Sequence, residues 1–96
     1  QLSEDGIVIV VLTLDREAGQ VVAGPDIISR GFVYVRESEV LLEETKERID
    51  AVLEKCQESG VKDWITIKSN IKDTLSKFLF EQTRRRPMIL PIIMEV

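Results

Sequence analysis

The chain has apolar runs near its two ends and amphipathic stretches between them. Residues 6–15 are mostly β-branched and are apolar at both alternate positions, a pattern typical of a strand that is covered on both faces. A short loop around Gly19 leads to a second predicted strand at residues 21–24, which Pro25-Asp26 ends. Residues 88–96 predict a last strand, apolar on both faces. Pro91 cannot donate a ladder hydrogen bond, which places that strand at a sheet edge or at a bulge.

The middle of the chain predicts two helices. Ser38 is a suitable N-cap for the first, which runs to about residue 59 and is closed by Gly60. Asp63 caps the second, which extends through about residue 83 and must stop before Pro87. Apolar residues recur at helical spacing on one side of each helix. They are Leu42, Ile49, Val52, Leu53 and Cys56 in the first helix, and Ile67, Ile71, Leu75, Phe78 and Leu79 in the second.

The element order β-β-α-α-β predicts an α+β fold, a three-stranded mixed sheet with two helices packed on one face. Two antiparallel helices return the chain, so the last strand runs parallel to the first and the expected sheet order is 2-1-3. Because two helices cover only one face of three strands, an apolar sheet face is left for a partner chain or a neighbouring domain. The candidate interface residues lie in the last strand and are Met88, Leu90, Ile92, Ile93 and Met94.

Length and composition indicate one soluble globular domain, residues 1–96. The chain is 44% apolar and 31% charged, and its apolar runs are too short to span a membrane, so we expect no membrane contact. The single cysteine, Cys56, cannot form an intrachain disulfide; this favours a reducing compartment and a buried, unreactive thiol. Since the sequence begins with Gln1, we expect a fragment of a longer protein.

The residue types that are missing bear on catalysis. The sequence contains no histidine, the usual general base near neutral pH and the commonest metal ligand. With Cys56 as the only thiol, the usual zinc sites are excluded, and no glycine-rich phosphate-binding loop is present. We therefore predict that this chain alone is not an enzyme and holds no metal or other cofactor.

The charge is unevenly distributed, although its net value is only −4. Residues 37–58 carry eight acids and three bases, whereas residues 62–86 carry three acids and seven bases. The simplest interpretation is two solvated helix faces. The arginines at the end of the second helix either offset its negative dipole end or contact RNA phosphates. The candidate RNA-contacting residues are Arg84, Arg85, Arg86 and Lys77, with Lys68 and Lys72 as further bases on the same helix.

Residues 24–31 form the least ordinary segment of the chain. Two glycines, Gly24 and Gly31, bracket a proline, an acid, a hydroxyl and an arginine. A chain that simply leaves a strand does not need these residue types in this order. The simplest interpretation is a structured loop in which Asp26 and Ser29 satisfy local backbone groups. The glycine spacing does not match the RNA-clamping GXXG loop of a KH domain. The full motif is Gly24, Pro25, Asp26, Ile27, Ile28, Ser29, Arg30 and Gly31.

Three segments together resemble the C-terminal end of bacterial ribonuclease J. They are GPDIISRGFVYVRESE at residues 24–39, LSEDG at 2–6 and RRPMILPIIMEV at 85–96. The family combines a metallo-β-lactamase domain, an inserted β-CASP domain and a small C-terminal domain, and the resemblance covers only this last part. Residues 40–82 match as a pattern of apolar and charged positions.

The resemblance implies a C-terminal appendage of a cytoplasmic, zinc-dependent enzyme that degrades and processes RNA as a 5′-exonuclease and endonuclease. The metal-binding histidines and aspartates of the family lie in the upstream domain and have no counterpart here. The family's C-terminal domain is associated with oligomerisation and full activity. The implied partners are the upstream metallo-β-lactamase and β-CASP domains, further copies of the chain, and RNA through the parent enzyme. Whether the uncovered sheet face meets its own copy or the upstream domains stays open.

Overall fold

The computed structural model describes residues 4–32, 34 and 38–96, which form a three-stranded sheet and two long helices. The strands are β1 (Ile7–Leu14), β2 (Val21–Arg30) and β3 (Met88–Glu95), and the helices are α1 (Glu39–Glu58) and α2 (Trp64–Thr83). The central strand β1 runs antiparallel to β2 and parallel to β3. The predicted α+β class, the mixed sheet of order 2-1-3 and the edge position of the last strand are confirmed.

The strand β2 differs most from the prediction, which ended it at residue 24. It continues to Arg30 through a cis peptide bond between Gly24 and Pro25. Val11 pairs with Asp26 while Thr13 pairs with Ala23, so β2 holds one extra residue at this point, which is a β-bulge. Because β2 is an edge strand, a proline in it removes no donor from an inner ladder. The Pro-Asp pair therefore marks a bulge in the strand and not its end.

One carboxylate ties the β1–β2 turn, β3 and the start of α2 together. Glu95, at the end of β3, accepts hydrogen bonds from Arg16 Nε at 3.2 Å and from Trp64 Nε1 at 3.0 Å. The backbone N–H of Arg16 also donates to the Val96 carbonyl at 3.1 Å. These contacts join residues that are far apart in sequence, so no local pattern predicts them.

The helices begin at the predicted caps. Ser38 Oγ accepts from the Leu41 N–H at 3.1 Å, and Asp63 Oδ2 accepts from the Thr66 hydroxyl at 2.8 Å and from the Thr66 N–H at 3.0 Å. The hydrogen bond from the Thr66 side chain, followed by that from its backbone, lowers the pKa of Asp63 below its ordinary value. Asp63 therefore stays ionised at a helix N-terminus, where the dipole favours a negative charge. Gly60 follows α1 with a φ of 72°, as predicted.

The hydrophobic core lies between the two helices and one face of the sheet. The predicted apolar stripe of α2 is confirmed, since all five of its residues are buried. The stripe of α1 differs, because Leu41 is buried while Leu42 is only half-buried. Thr45 is fully buried beside Leu41 and donates its hydroxyl to the Leu41 carbonyl at 2.7 Å. A search for apolar residues does not identify Thr45. Its hydroxyl has a hydrogen-bond partner, and this allows a polar residue to be buried in the core.

Candidate association surface

The two faces of the sheet have different environments. On the helix side, alternate residues of β1 and β3 are buried, including Val8, Leu12 and Ile89. On the opposite side, alternate residues of β3 are exposed by 38–49% of their surface. They are Met88, Leu90, Ile92 and Met94. No helix or strand in the described part of the chain covers this second side, which we call the free face.

The strand register arranges the free face in four rows that cross the sheet from β2 through β1 to β3. Directly paired residues of neighbouring strands point to the same face. The rows are Arg30, Ile7 and Met88; Ile28, Ile9 and Leu90; Asp26, Val11 and Ile92; and Ala23, Thr13 and Met94. Apart from Thr13, the side chains of the centre and of the β3 side of this surface are apolar, and the two charged residues both lie on the β2 side.

The free face has the dimensions of a binding surface. Three strands about 4.8 Å apart, each with about eight residues at about 3.3 Å, give a footprint of about 14 by 26 Å, or about 370 Å². Apolar patches of a few hundred Å² on soluble proteins are often functional. The partly exposed isoleucine, leucine and methionine side chains are removed from water only if another surface covers them. This arrangement supports hydrophobic association.

The structure separates the five interface residues predicted from the sequence. Met88, Leu90, Ile92 and Met94 belong to the free face, whereas Ile93 is only 6% exposed and faces the helices. Burial alternates strictly along β3, so adjacent residues lie on opposite sides of the sheet. The prediction that Ile93 belongs to the interface is therefore wrong. An apolar run without polar interruptions does not reveal which of its alternate positions is covered.

The motif at residues 24–31 is part of the sheet and not a separate loop. Asp26, Ile28 and Arg30 alternate along β2 on the free face, whereas Ile27 and Ser29 turn toward the helices. The Asp26 carboxylate is exposed and forms no hydrogen bond within the described residues. The prediction that its side chain accepts hydrogen bonds from local backbone groups is therefore wrong. The motif thus contributes three side chains to the free face. Sequence reasoning missed them because it ended β2 before the bulge.

The end of this motif meets the N-terminal motif. A side chain on Gly31 would come within 3.3 Å of Gly6 Cα, so the two glycines lie directly against each other. Two of the segments that carry the family resemblance are therefore neighbours in space. Leu2 and Ser3 of the first segment, and Val33 and residues 35–37 of the second, lie outside the described residues.

A second candidate surface is the basic cluster at the end of α2, which comprises Lys77, Arg84, Arg85 and Arg86. Arg84 is the C-cap of α2 with a φ of 61°, and its N–H donates to the Phe80 carbonyl at 2.8 Å. The guanidinium carbons of Arg84 and Arg86 lie 5.2 and 4.3 Å from the centroid of the Phe80 ring. The aromatic ring on which an RNA base could stack is thus already in contact with two cations.

The third arginine of the cluster is also held by the protein. Arg85 Nε donates to the Tyr34 hydroxyl at 3.4 Å. This hydrogen bond is the largest of the effects that raise the pKa of Arg85 above its ordinary value. The backbone N–H of Arg86 donates to Asp5 Oδ2 at 2.7 Å. Lys77 lies beside Phe80 and Arg86 around a shallow depression. These contacts favour a structural role, in which the cluster joins the end of α2 to residues 5 and 34. RNA contact by the four basic residues stays a prediction.

The remaining candidate groups are the thiol of Cys56 and the acidic side chains. Cys56 is 5% exposed, and its Sγ accepts from the Asn70 amide at 3.6 Å. Within residues 4–32, 34 and 38–96, no three His, Cys, Asp or Glu side chains are grouped so that they could hold a metal ion. None of the helices described for this chain has both the length and the apolar character needed to cross a membrane.

Comparisons with known proteins agree on one family. The family model for the ribonuclease J C-terminal domain matches residues 1–96. The chain is 50% identical over 95 residues to Ribonuclease J2 of Bacillus subtilis (strain 168). It is 52% identical over 95 residues to Ribonuclease J 2 of Staphylococcus epidermidis and of Staphylococcus aureus (strain NCTC 8325). Each match covers 99% of this chain but only 17% of the relative's length.

Proposed function

Because the chain belongs to the ribonuclease J C-terminal domain family, we propose that it is a non-catalytic assembly domain of a ribonuclease J enzyme. The resemblance seen in the sequence motifs is confirmed by the family match and by relatives of 50–52% identity. The chain spans 17% of the length of those relatives. In this proposal the rest of such a protein contains the upstream domains, binds the divalent metal ions and cleaves RNA. The whole enzyme acts in the cytoplasm.

The observation that carries this proposal is the free face. Its β3 residues Leu90 and Ile92 are 43% and 39% exposed, and they lie beside Ile9 and Val11 of the central strand. An apolar sheet face of this kind is stabilised when it packs against another protein surface. Assembly of the enzyme, through further copies or through its upstream domains, supplies such a surface.

The mass of the chain in solution tests this proposal. We expect the 10.9-kDa chain to form larger species as its concentration rises, in a manner that changes little between low and high salt. Apolar association is not screened by ions, whereas RNA binding through basic residues weakens steeply with salt. A chain that stays monomeric, and that binds no hydrophobic dye at its free face, would contradict an assembly role.

We expect the 96-residue chain to leave a 5′-monophosphorylated RNA intact when zinc, manganese or magnesium is added. The reason is chemical: the sequence has no histidine, and no acid–base pair with an orienting group has been found in it. The measurement is the length of a labelled RNA on a denaturing gel after incubation with the purified chain. An activity that follows the chain through successive purification steps would refute the expectation.

RNA binding through the basic cluster is the alternative function, and we expect it to be weak. At physiological salt the dissociation constant should be about 10 μM or weaker, because a few arginines supply few phosphate contacts. The acidic α1 also opposes the approach of a polyanion. Fluorescence anisotropy with a labelled single-stranded RNA measures this affinity.

A matched pair of variants separates a specific RNA site from general charge. Arg84→Ala with Arg85→Ala removes two charges from the basic cluster, and Lys55→Ala with Lys62→Ala removes two from exposed positions elsewhere. We expect both double variants to bind RNA within about threefold of the parent chain. Submicromolar binding that is lost only in the arginine variant would establish the binding-module function instead.

A further inference from the structure

A cavity of about 340 Å³ lies on the helix side of the sheet, between the β1–β2 turn and the C-terminal half of α1. Its floor is apolar and includes Leu14, Leu53, Val61 and Ile67, of which Leu14 and Ile67 are buried. A cavity of this volume is large enough for a small organic molecule, and an apolar lining is typical of ligand pockets. The proposed assembly function does not use this cavity, because the free face is on the other side of the sheet.

The rim of the cavity is polar and carries two negative charges from α1. Asp50 and Glu54 lie one helical turn apart, so their Cβ atoms are about 5–6 Å apart and both carboxylates can reach a single cation. Both residues are exposed, and neither has a hydrogen bond or an ion pair within the described residues. The exposed side chains of Gln20 and Gln57 add amide groups to the rim. The mouth of the cavity therefore attracts a positive charge, whereas its floor favours an apolar group.

Backbone hydrogen bonds hold both walls of the cavity in place. In the β1–β2 turn, the Asp15 N–H donates to the Gln20 carbonyl and the Gly19 N–H donates to the Asp15 carbonyl, each at 2.8 Å. After α1, the Val61 N–H donates to the Cys56 carbonyl at 2.8 Å. Because these walls are already ordered, a ligand binds here with a smaller loss of conformational entropy.

We propose that this cavity binds an ammonium group carried on a short apolar stem, with the stem on the floor and the ammonium between Asp50 and Glu54. Simpler ligands use only half of the site. A hydrated metal ion leaves the apolar floor unfilled, and an uncharged apolar molecule leaves the carboxylates unpaired. A carboxylate or phosphate on the ligand is repelled by the rim. Two sources have the required chemistry: a free alkylamine, and the N-terminus of a polypeptide whose first residue is apolar.

Titration of the isotope-labelled chain with three amphiphiles, followed by its backbone amide signals in NMR spectra, tests the site. We expect isoamylamine to shift the signals of Gly19, Gln20, Gln57 and Val61, with a dissociation constant of about 1 mM. Isoamyl alcohol has the same stem without the charge and should bind about fivefold more weakly. Methylamine has the charge with almost no stem and should bind about tenfold more weakly.

A matched pair of double variants tests the role of the two carboxylates. Asp50→Asn with Glu54→Gln should weaken isoamylamine binding about fivefold, because the ammonium loses both charged partners. Glu43→Gln with Glu47→Gln removes the same charge from exposed positions of α1 that do not line the cavity. This control should keep the affinity within about twofold of the parent chain. All four substitutions are at exposed positions, and circular dichroism reports folding.

A third variant should change the affinity in the opposite direction. A side chain on Gly19 would lie 3.8 Å from Lys62 Cε, so the Lys62 ammonium is near the rim of the cavity. Lys62→Ala removes this competing positive charge and should strengthen isoamylamine binding about twofold. Unchanged or weaker binding in this variant would contradict the placement of the bound ammonium at the rim.

Leucylglycinamide and its N-acetylated form distinguish the two sources of the ligand. Tighter binding of leucylglycinamide than of isoamylamine, lost on acetylation, identifies a polypeptide N-terminus, whose peptide groups can pair with the amides of Gln20 and Gln57. Tighter binding of isoamylamine identifies a free amine, and either result supports the proposal. Equal affinities in the two double variants would show only a general attraction of cations to an acidic helix and would overturn it. An absence of shifts at about 10 mM of both probes would overturn it as well. Neither outcome affects the assembly function, which sedimentation tests.

Discussion

Replacing Ile93 with lysine should unfold the chain, whereas replacing the adjacent Ile92 with lysine should leave it folded and monomeric. Ile93 is 6% exposed against the helices, and Ile92 is 39% exposed on the free face. A lysine at position 93 loses the burial of the isoleucine and places an ammonium group in the core. The cost of about 4 kcal/mol or more approaches the whole stability of a small domain, about 5–15 kcal/mol. At position 92 the ammonium group stays in water, so the free energy of unfolding changes little. The substitution instead weakens association through the free face.

Two measurements on the same samples separate these effects. Thermal unfolding followed by circular dichroism should show no cooperative transition for Ile93→Lys and a nearly parental one for Ile92→Lys. Sedimentation should show that Ile92→Lys remains monomeric at concentrations where the parent chain associates. The matched control is Ile65→Lys, because Ile65 is 78% exposed on α2, away from the free face. If both β3 variants unfold, or both stay folded with the parental mass, the assignment of the two sheet faces is wrong.

The elements that the sequence predicted correctly are those with local signals. The caps Ser38 and Asp63 and the turn glycine Gly60 each act within a few residues, so their positions can be read from neighbouring amino acids. The buried stripe of α2 follows helical spacing, and Thr13 is the one polar residue among the eight of β1. The two-layer arrangement and the leftover face then follow from counting helices against strands. None of these steps needs a contact between distant residues.

The errors arose where a position depends on distant parts of the chain. In β3 both alternate positions are apolar, and only the docking of the helices decides that Ile93 is covered. Pro25 is acceptable within β2 because β1 lies on one side of that strand and none of the described strands lies on the other. This is known only once the sheet order is known. The contact of Arg85 with Tyr34 joins residues 51 positions apart. The alternation of Asp26, Ile28 and Arg30 is visible in the sequence. It places the three side chains on one sheet face only if β2 extends to residue 30, which the sequence did not predict.

Replacing Gly6 with alanine should destabilise the chain strongly, because the backbone of β2 occupies the space that a side chain would need. Gly6 has a φ of 88°, and a Cβ there would lie 2.4 Å from the Arg30 carbonyl oxygen and 2.4 Å from the Gly31 carbonyl carbon. The left-handed conformation alone costs alanine about 1–2 kcal/mol. Relief of the overlap requires the β1 and β2 backbones to separate, so we expect a total loss of about 3 kcal/mol or more.

Gly60→Ala is the matched control, because it isolates the conformational cost from the steric one. Gly60 has a φ of 72°, yet nothing lies within 4 Å of the position that its Cβ would occupy. Its replacement should cost about 1–2 kcal/mol, whereas Gly6→Ala should cost about 3 kcal/mol or more. Each kcal/mol lowers the melting temperature of a domain of this size by about 4–8 °C. Because the shift at Gly6 displaces Arg30, it should also weaken self-association, which Gly60→Ala should not affect. Equal losses of stability in the two variants would show that the contact between Gly6 and Gly31 places no constraint on the fold.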